Sequence, residues 1–388
     1  MDFKELTGEE NLYVKNFEIN GRMEQVIVGV YVDDLLIAAS SEAARLHFME
    51  KLNARFPVNP NATGLITFDK PGLVLSMRVR YDQSRGILEL DQLPSIEALA
   101  RKFDVTGLAK KSMPITASVL LPKLEKAEVD INTYLSVLGS CLHIAQVSRP
   151  DIAYAVSVLC RHSSTPGTIH MQAAINLVNY LYNSRELFIR YSKGDFGNVP
   201  ELYEKGSKVD EAKSIEERLV ASTPEPAANS PALFIDADFA GDVAYTRRST
   251  SGMICMMNGG PISWSSRLQK LCALSTAESE ITAVTDAAKE AVHIKLMCEE
   301  VGVRPIGVPL TVWEDNDACL RMGSSMKSSK NARHFATRLR FLNELVHDGT
   351  IQFSRVATAD QLADGMTKAL NGTAFFKFRK QVLHSPHY

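Results

Sequence analysis

Apolar and polar residues alternate in two runs near the start of the chain. LYVKNFEIN and QVIVGVYV, separated by Asn20-Gly21, predict two strands joined by a tight hairpin turn. The apolar run resumes after Asp33-Asp34 as LLIAAS, so these adjacent acids fall between two strand-like arms. Ala44, Phe48 and Leu52 recur at helical spacing and predict a helix over 41–55. LVLSMRVRY and GILELDQ predict a second hairpin, with strands at 73–81 and 86–92, and SIEALARKF starts a helical region. Pro114 and Pro122 interrupt it. INTYLSVLGSCLHIAQVS then has the pattern of an amphipathic helix that stops at Arg149-Pro150, and Asp151 is read as the cap of the next helix. A third helix is expected over 168–183.

The pattern changes at 192–231, where Gly, Pro and charged residues mark a linker with one short helix at SIEERLV. A further unit begins at Ala232: three strands (ALFIDADFA, GMICMMN, GPISWSS), a helix near 276–300, the strand LTVWED, a helix from Asp317 to Met322, a basic helix near 332–347, the strand TIQFSRV and a last helix from Ala359. Three strands followed by alternating helix and strand give a mixed α/β (α+β) fold class.

Composition narrows the picture only a little. The chain has 388 residues, a formal net charge of −2 and 45% hydrophobic residues, enough for two or three domains with real cores. Near-neutrality excludes a protein that is basic overall, not one with a local basic face. The six cysteines form no CxxC pair and read as buried hydrophobes of a reducing compartment. No signal-peptide pattern is seen at MDFKELTGEE, and no apolar run approaches the ~20 residues of a membrane helix. The expectation is an intracellular, cytoplasmic protein, with a virus-like particle or the nucleus as further compartments, and no membrane partner.

Four acids stand where acids are awkward. Asp236 lies inside an apolar strand, Glu280 in the first turns of a helix with an apolar face, Asp315 at the end of LTVWED, and Asp364 two residues after Leu362 in the last helix. Singly, each has a structural reading as a turn cap, an N-cap or a solvated helix charge; Ser275 and Glu278 form a capping box beside Glu280. Together, in the order strand, helix, strand end, helix, they predict a carboxylate cluster. Like charges brought together call for cations, and hard cations such as Mg²⁺ take oxygen ligands. Two such ions about 4 Å apart serve phosphodiester cleavage.

The stretches FIDADFAGDVAYTRRSTSG, SWSSRLQKLCALSTAESEITAV, VWEDNDACL and TADQLADGMTKAL, in that order, resemble the RNase H domain of copia-type LTR retrotransposons. The resemblance implies an RNase H-like mixed five-stranded sheet over 232–375, with 376–388 as a tail. It also implies that Asp236, Glu280, Asp315 and Asp364 hold two Mg²⁺ or Mn²⁺ ions and that the RNA strand of RNA–DNA hybrids is cut. From Arg321 to Arg340 six basic residues occur without an acid. Lys327, Lys330, Arg333, His334 and Arg338 are the expected nucleic-acid contacts, and Arg333-His334 matches a basic-His pair of the family.

Tyr31-Val32-Asp33-Asp34 resembles the palm hairpin of the same family's reverse transcriptase, in which both acids bind metal. The arms are almost continuously apolar, so the hairpin is expected to be buried on both faces. RVRYDQSRGILELDQLPSIEALARKFDV resembles the primer grip and first thumb helix, and YLSVLGSCLHIAQVSRPDIAYAVSVLCRHSSTPGTIHMQAAINLVNYL the helical region after it. The implied layout is a partial palm at 1–80, a helical thumb at 81–191, the linker at 192–231 and RNase H from 232. This chain departs from the family at Leu75-Ser76, where Leu-Gly is usual, and at Phe239, where Trp is usual. The family's third palm carboxylate and fingers lie upstream of the residues present here. Asp33 and Asp34 are therefore expected to be a polymerase remnant, inactive unless an upstream Pol fragment or self-association completes it. The expected ligands are an RNA–DNA hybrid and a template-primer. The rival reading is a degenerate or domesticated protein that binds nucleic acid without cleaving it.

Overall fold

The computed structural model describes residues 2–59, 63–116, 121–193, 229–242, 246–304, 306–324 and 335–386. Most of the expected linker, including SIEERLV, lies outside them. The alternating N-terminal runs form an antiparallel sheet in the order β1 (Lys4–Leu6), β2 (Glu9–Ile19), β3 (Arg22–Tyr31), β4 (Asp34–Ala39). At the β2–β3 turn Asn20 and Gly21 have φ of 52° and 76°, the left-handed pair that a two-residue hairpin requires. Helix α1 (Glu42–Arg55) starts at Ser41, whose hydroxyl accepts from the Ala44 N–H, and buries Ala44, Phe48 and Leu52 against Val26 and Val28.

The second antiparallel sheet is β5 (Gly72–Val74), β6 (Met77–Asp82), β7 (Ile87–Asp91) and β8 (Ile189–Ser192). The single strand expected over 73–81 is therefore two strands. Val74 pairs with Met77, and the turn between them places Leu75 and Ser76 at φ of 50° and 66°. The left-handed region costs a non-glycine residue roughly 1–2 kcal/mol. Ser76→Gly is expected to stabilise the fold by roughly 0.5–1 kcal/mol, since the relief is partly offset by the freer unfolded chain. It also loses the 2.8 Å contact between the Ser76 hydroxyl and His143. Urea melts of the two proteins check the sign.

Four helices, α2 (Leu93–Lys102), α3 (Ile131–Val147), α4 (Ala153–Cys160) and α5 (Thr168–Asn183), lie between β7 and β8. Asp151 is not the cap expected of it. It sits in a 3₁₀ turn, buried, and accepts from Arg149 at 2.8 and 2.7 Å and from the Tyr180 hydroxyl. Arg149 is equally buried and is paid back by this pairing, because a buried guanidinium is tolerated only when its charge and donors are satisfied.

The third sheet is five-stranded and mixed. Its order is β11 (Gly260–Leu268), β10 (Thr250–Met257), β9 (Ala232–Asp238), β12 (Leu310–Glu314), β13 (Ile351–Arg355). β9 and β10, and β10 and β11, pair antiparallel; β9 and β12, and β12 and β13, pair parallel. Central β9 is apolar on both faces, as a strand covered on both sides must be. On one face Leu233, Ile235, Leu310 and Val312 pack under α6 (Thr276–Val301), α7 (Asp317–Ser324) and α8 (Ala336–His347).

On the other face Ala232, Phe234, Ile254 and Trp313 share one continuous core with α3, α4 and α5. The helical region and the third sheet are thus packed together. Trp264 donates to the Ala145 carbonyl at 2.7 Å and Tyr191 to that of Pro261 at 2.7 Å. The last helix expected from Ala359 is broken into a 3₁₀ turn (Thr358–Asp360), the four-residue α9 (Asp364–Thr367) and α10 (Gly372–Val382). The residues expected to form a tail from 376 include most of α10. Phe375, Phe378, Val382 and Leu383 are buried in the shared core, so the chain end closes the contact between helices and sheet. Among the described residues no helix is long and apolar enough to cross a membrane.

Candidate active site

The ends of β9 and β12 and the start of α6 bring acids together. Asp236 is on the face of β9 that carries Phe234, and it lies opposite Gly252 of β10. Only 7% of it is exposed. The loop before α9 is tied down beside it: Gln361 donates to the Ile235 carbonyl at 2.8 Å and accepts from the Ala363 N–H at 3.2 Å. This sets Thr367, whose hydroxyl donates to Asp236 Oδ2, and Asp364, which is within hydrogen-bonding reach of Asp236. Lys368 closes the group with Nζ 2.7 Å from Asp364 Oδ1.

Gly252 makes this seating possible. A Cβ there would lie 2.6 Å from Thr367 Cγ2 and 2.7 Å from Met366 Cβ. Gly252→Ala is expected to push α9 off the sheet, with a loss of roughly 1–3 kcal/mol in a thermal melt. Any catalytic function of Asp364 is expected to fall with it.

Glu280 approaches from the other face of the sheet. Ser275 caps α6 by accepting from the Glu278 N–H at 3.1 Å, and the Glu278 side chain reaches back to accept from the Leu274 N–H at 2.6 Å, one residue before the N-cap. Gln269 ties the same end to the sheet through the Ser279 carbonyl at 2.9 Å. Glu280 is then 6% exposed, among Ile281, Val284 and the end of β12.

The electrostatics follow from this burial. Burial pushes Asp236 up to about 6, helped by Asp364 and Asp315 and opposed by Lys368 and the Thr367 hydroxyl. Burial pushes Glu280 up to about 10, with added repulsion from Glu314, Asp236 and Asp315, against the Ala237 N–H. Asp364 is raised by burial although Lys368 pulls it down, and Lys368 is itself held above the ordinary lysine range by Asp236, Asp364 and Asp238 despite its burial. Asp236, Glu280 and Asp364 therefore each sense other acids of the expected set. They meet as neighbours across the end of the sheet rather than at one point, for among the described residues no three such side chains form a ready-made metal-holding group.

Four participants carry no signal of their own in the sequence. Glu314 is wholly buried beside Glu280. Asp238, two residues past Asp236 and on the same face of β9, is raised by burial. Lys368 and Thr367 come from TADQLADGMTKAL. The adjacent acids Glu314-Asp315 were visible, but only the second was read as functional, and alternation along the strand is what turns the first inward.

The donor set suits a hard cation. It is all oxygen, and Glu280 Oε2 and Glu314 Oε2 are buried carboxylate oxygens with no hydrogen-bond partner. Asp236, Glu280, Asp315 and Asp364, with Glu314 adjacent, are the residues that would hold it.

Asp33 and Asp34 are in a different setting. Tyr31 pairs with Asp34 across a two-residue turn in which Val32 has φ of 53°. Tyr31 and Val32 are 59% and 83% exposed, and Leu35, Leu36 and both acids are exposed too. The expectation that both faces of this hairpin are buried is corrected: only the face under α1 is covered, so desolvation places no demand for a cation on this pair. Lys327, Lys330, Arg333 and His334 lie outside the described residues. Arg338 is half-buried on α8, and its neighbour Arg340 is engaged by Glu344 at 2.9 Å.

No family model matches the sequence. Over 382 residues, 96% of this chain, it is 25% identical to the retrovirus-related Pol polyprotein from transposon TNT 1-94 of Nicotiana tabacum, and it covers 25% of that protein. It is 28% identical over 361 residues to the retrovirus-related Pol polyprotein from transposon RE2 of Arabidopsis thaliana, covering 91% of this chain and 21% of the relative. The chain thus spans about a quarter or less of the length of these curated relatives. Among solved structures, the N-terminal RNase H domain of Rv2228c from Mycobacterium tuberculosis, fused to maltose binding protein, matches 39% of this chain and 98% of that one. Its identity is 9% and its TM-score 0.26. The chain is thus similar along nearly its whole length to retrotransposon Pol polyproteins, which supports its being a fragment of such a polyprotein.

Proposed function

We propose that the chain is a metal-dependent ribonuclease H that cleaves the RNA strand of RNA–DNA hybrids. The observation that carries this reading is the burial of Asp236 and Glu280 at one end of the mixed five-stranded sheet, where they can be charged together only if cations join them. Asp236, Glu280, Asp315 and Asp364 would hold Mg²⁺ or Mn²⁺. When bound, such ions supply a nucleophilic water and neutralise charge at phosphorus. The chain's own groups do the rest. Thr367 orients the Asp236 carboxylate, Gln361 fixes the loop that presents Asp364, and Gly252 leaves room for both. Lys368 holds a fixed positive charge against Asp364, where it can also meet a scissile phosphate. The RNA strand would be chosen by its 2′-hydroxyls and groove shape. Tracking of the phosphate backbone is assigned to the segment from Lys327 to Arg338, and a template-primer is the second ligand proposed.

The pairing of Lys368 with Asp364 favours a second reading, in which the ammonium takes the place of a cation and the chain binds hybrid without cutting it. A labelled RNA–DNA hybrid incubated with the whole chain in Mg²⁺ separates the two. RNA cleavage that stops in chelator and spares duplex DNA supports the ribonuclease. A folded protein that retains hybrid but leaves it intact sinks that reading.

A further inference from the structure

Glu314 is the residue that the four-carboxylate reading leaves without a role. Leu310, Val312 and Glu314 alternate onto the α6 face of β12, and the first two are ordinary core residues. Glu314 continues that row into the apolar layer with 0% exposure. Its Oε1 accepts from the Asn316 N–H at 3.0 Å, and its Oε2 has no partner. The charged groups acting on it are acidic: Glu280, Asp315 and Asp236. A cation is close in register but does not serve it, for Arg355, which pairs with Glu314 across β12 and β13, sends its guanidinium to Asp317 at 2.9 Å. Lys368 is spent on Asp364.

Glu280 mirrors this arrangement. One of its oxygens takes the Ala237 N–H, and Oε2 is likewise buried without a partner. Two acids that act on each other's charge therefore lie in one apolar layer, each with one oxygen held by a backbone N–H and one left over. Only two things reconcile such a pair: a retained proton, or a cation between the two spare oxygens.

We propose that Glu314 is a fifth carboxylate of the site and that, together with Glu280, it ligates one divalent cation of the hard, oxygen-seeking class. This rests on the ribonuclease reading and deepens it. Asp236, Asp315 and Asp364 serve the other face of the sheet, and Glu314 completes a cation position on the α6 face that Glu280 alone cannot fill. Mg²⁺ and Mn²⁺ are commonly held by one or two carboxylates, and this pair supplies two.

The test is Mn²⁺ binding to the whole chain, followed by the electron paramagnetic resonance signal of free Mn²⁺, for the unaltered protein and for Glu314→Gln, Glu280→Gln, the double variant and Asp236→Asn. Glu314→Gln keeps the shape and removes the charge. It is expected to weaken one Mn²⁺ at least tenfold, and Glu280→Gln to weaken the same ion. Because they share it, the double variant is expected to lose little more than either single change. Glu314→Asp, which keeps the charge on a shorter arm, is expected to fall between and guards against a folding defect in the amide. Binding by Glu314→Gln equal to that of the unaltered chain, with binding lost in Asp236→Asn, overturns this inference alone and leaves Glu314 a protonated structural acid. No Mn²⁺ bound by the unaltered chain at millimolar concentration overturns both this inference and the ribonuclease reading.

Discussion

Asp236→Asn is expected to lower the rate of RNA-strand cleavage by on the order of 10²–10³-fold, equivalent to roughly 3–4 kcal/mol of barrier. The amide fills the same space and can still accept from the Thr367 hydroxyl, so the loop bearing Asp364 keeps its seat. What disappears is the charge that Asp364, Glu280 and Glu314 all sense, and with it a carboxylate ligand that an amide replaces poorly. Removing a buried negative charge from among other acids also relieves repulsion, so the metal-free variant is expected to melt no lower than the unaltered chain. Steady-state cleavage of a labelled hybrid, with a thermal melt of each protein, reads both effects. A variant that cuts at more than a tenth of the normal rate would remove Asp236 from the mechanism.

The second large effect concerns pH. Between pH 7 and 9 the metal-free protein is expected to lose stability as pH rises. Burial holds Glu280 up to about 10 and Glu314 well above its ordinary value, while in the unfolded chain both are already ionised near 4.5. A carboxyl whose folded pKa is raised contributes stability that is complete below the unfolded pKa and is lost as pH climbs towards the folded one. In this window the folded state retains at least one proton that the unfolded state has released. The slope is then about −1.4 kcal/mol per pH unit for each retained proton.

The window is chosen to exclude opposing groups. Burial lowers His162 to about 4 and lowers His170, so both histidines add stability as pH rises to about 6.5 and nothing beyond it. The buried thiols keep their protons in the folded state while those of the unfolded chain begin to ionise near about 8.5, so towards pH 9 they add to the fall with the same sign, and the glutamates are read most cleanly between pH 7 and 8. Melting temperatures at pH 7, 7.5, 8 and 9 in chelator measure the slope, and saturating Mg²⁺ is expected to flatten it between pH 7 and 8, since there the cation takes the place of the proton. A metal-free melting temperature that rises across this range would show that the glutamates are ionised and compensated by other means.

The sequence by itself determined the elements and the acids. Period-two and period-3.6 patterns located β2, β3, α1, α3, α5, β9, β10, β11 and α6, because each buries one face or both and its period must match that face. Asn20-Gly21 marked its turn because few other pairs tolerate left-handed φ twice. The motif order singled out Asp236, Glu280, Asp315 and Asp364 before any fold was known.

Tertiary structure decided what pattern could not carry. Leu75-Ser76 carries no turn chemistry of its own, so the break between β5 and β6 was invisible until the strands paired. Asp151 looked like a cap because caps are local, whereas its partner Tyr180 is brought in from another helix. The exposure of the Asp33-Asp34 hairpin depends on what covers the sheet, which an apolar run cannot reveal. Phe375, Phe378 and Val382 read as a domain edge and tail, yet they join helices and sheet in one core, since hydrophobic burial is set by neighbours and not by order along the chain. Glu314 shows the same division within the site. Its identity was plain beside Asp315, but its inward direction, its charge against Glu280 and its unpaired oxygen arise only when β12 and α6 pack together.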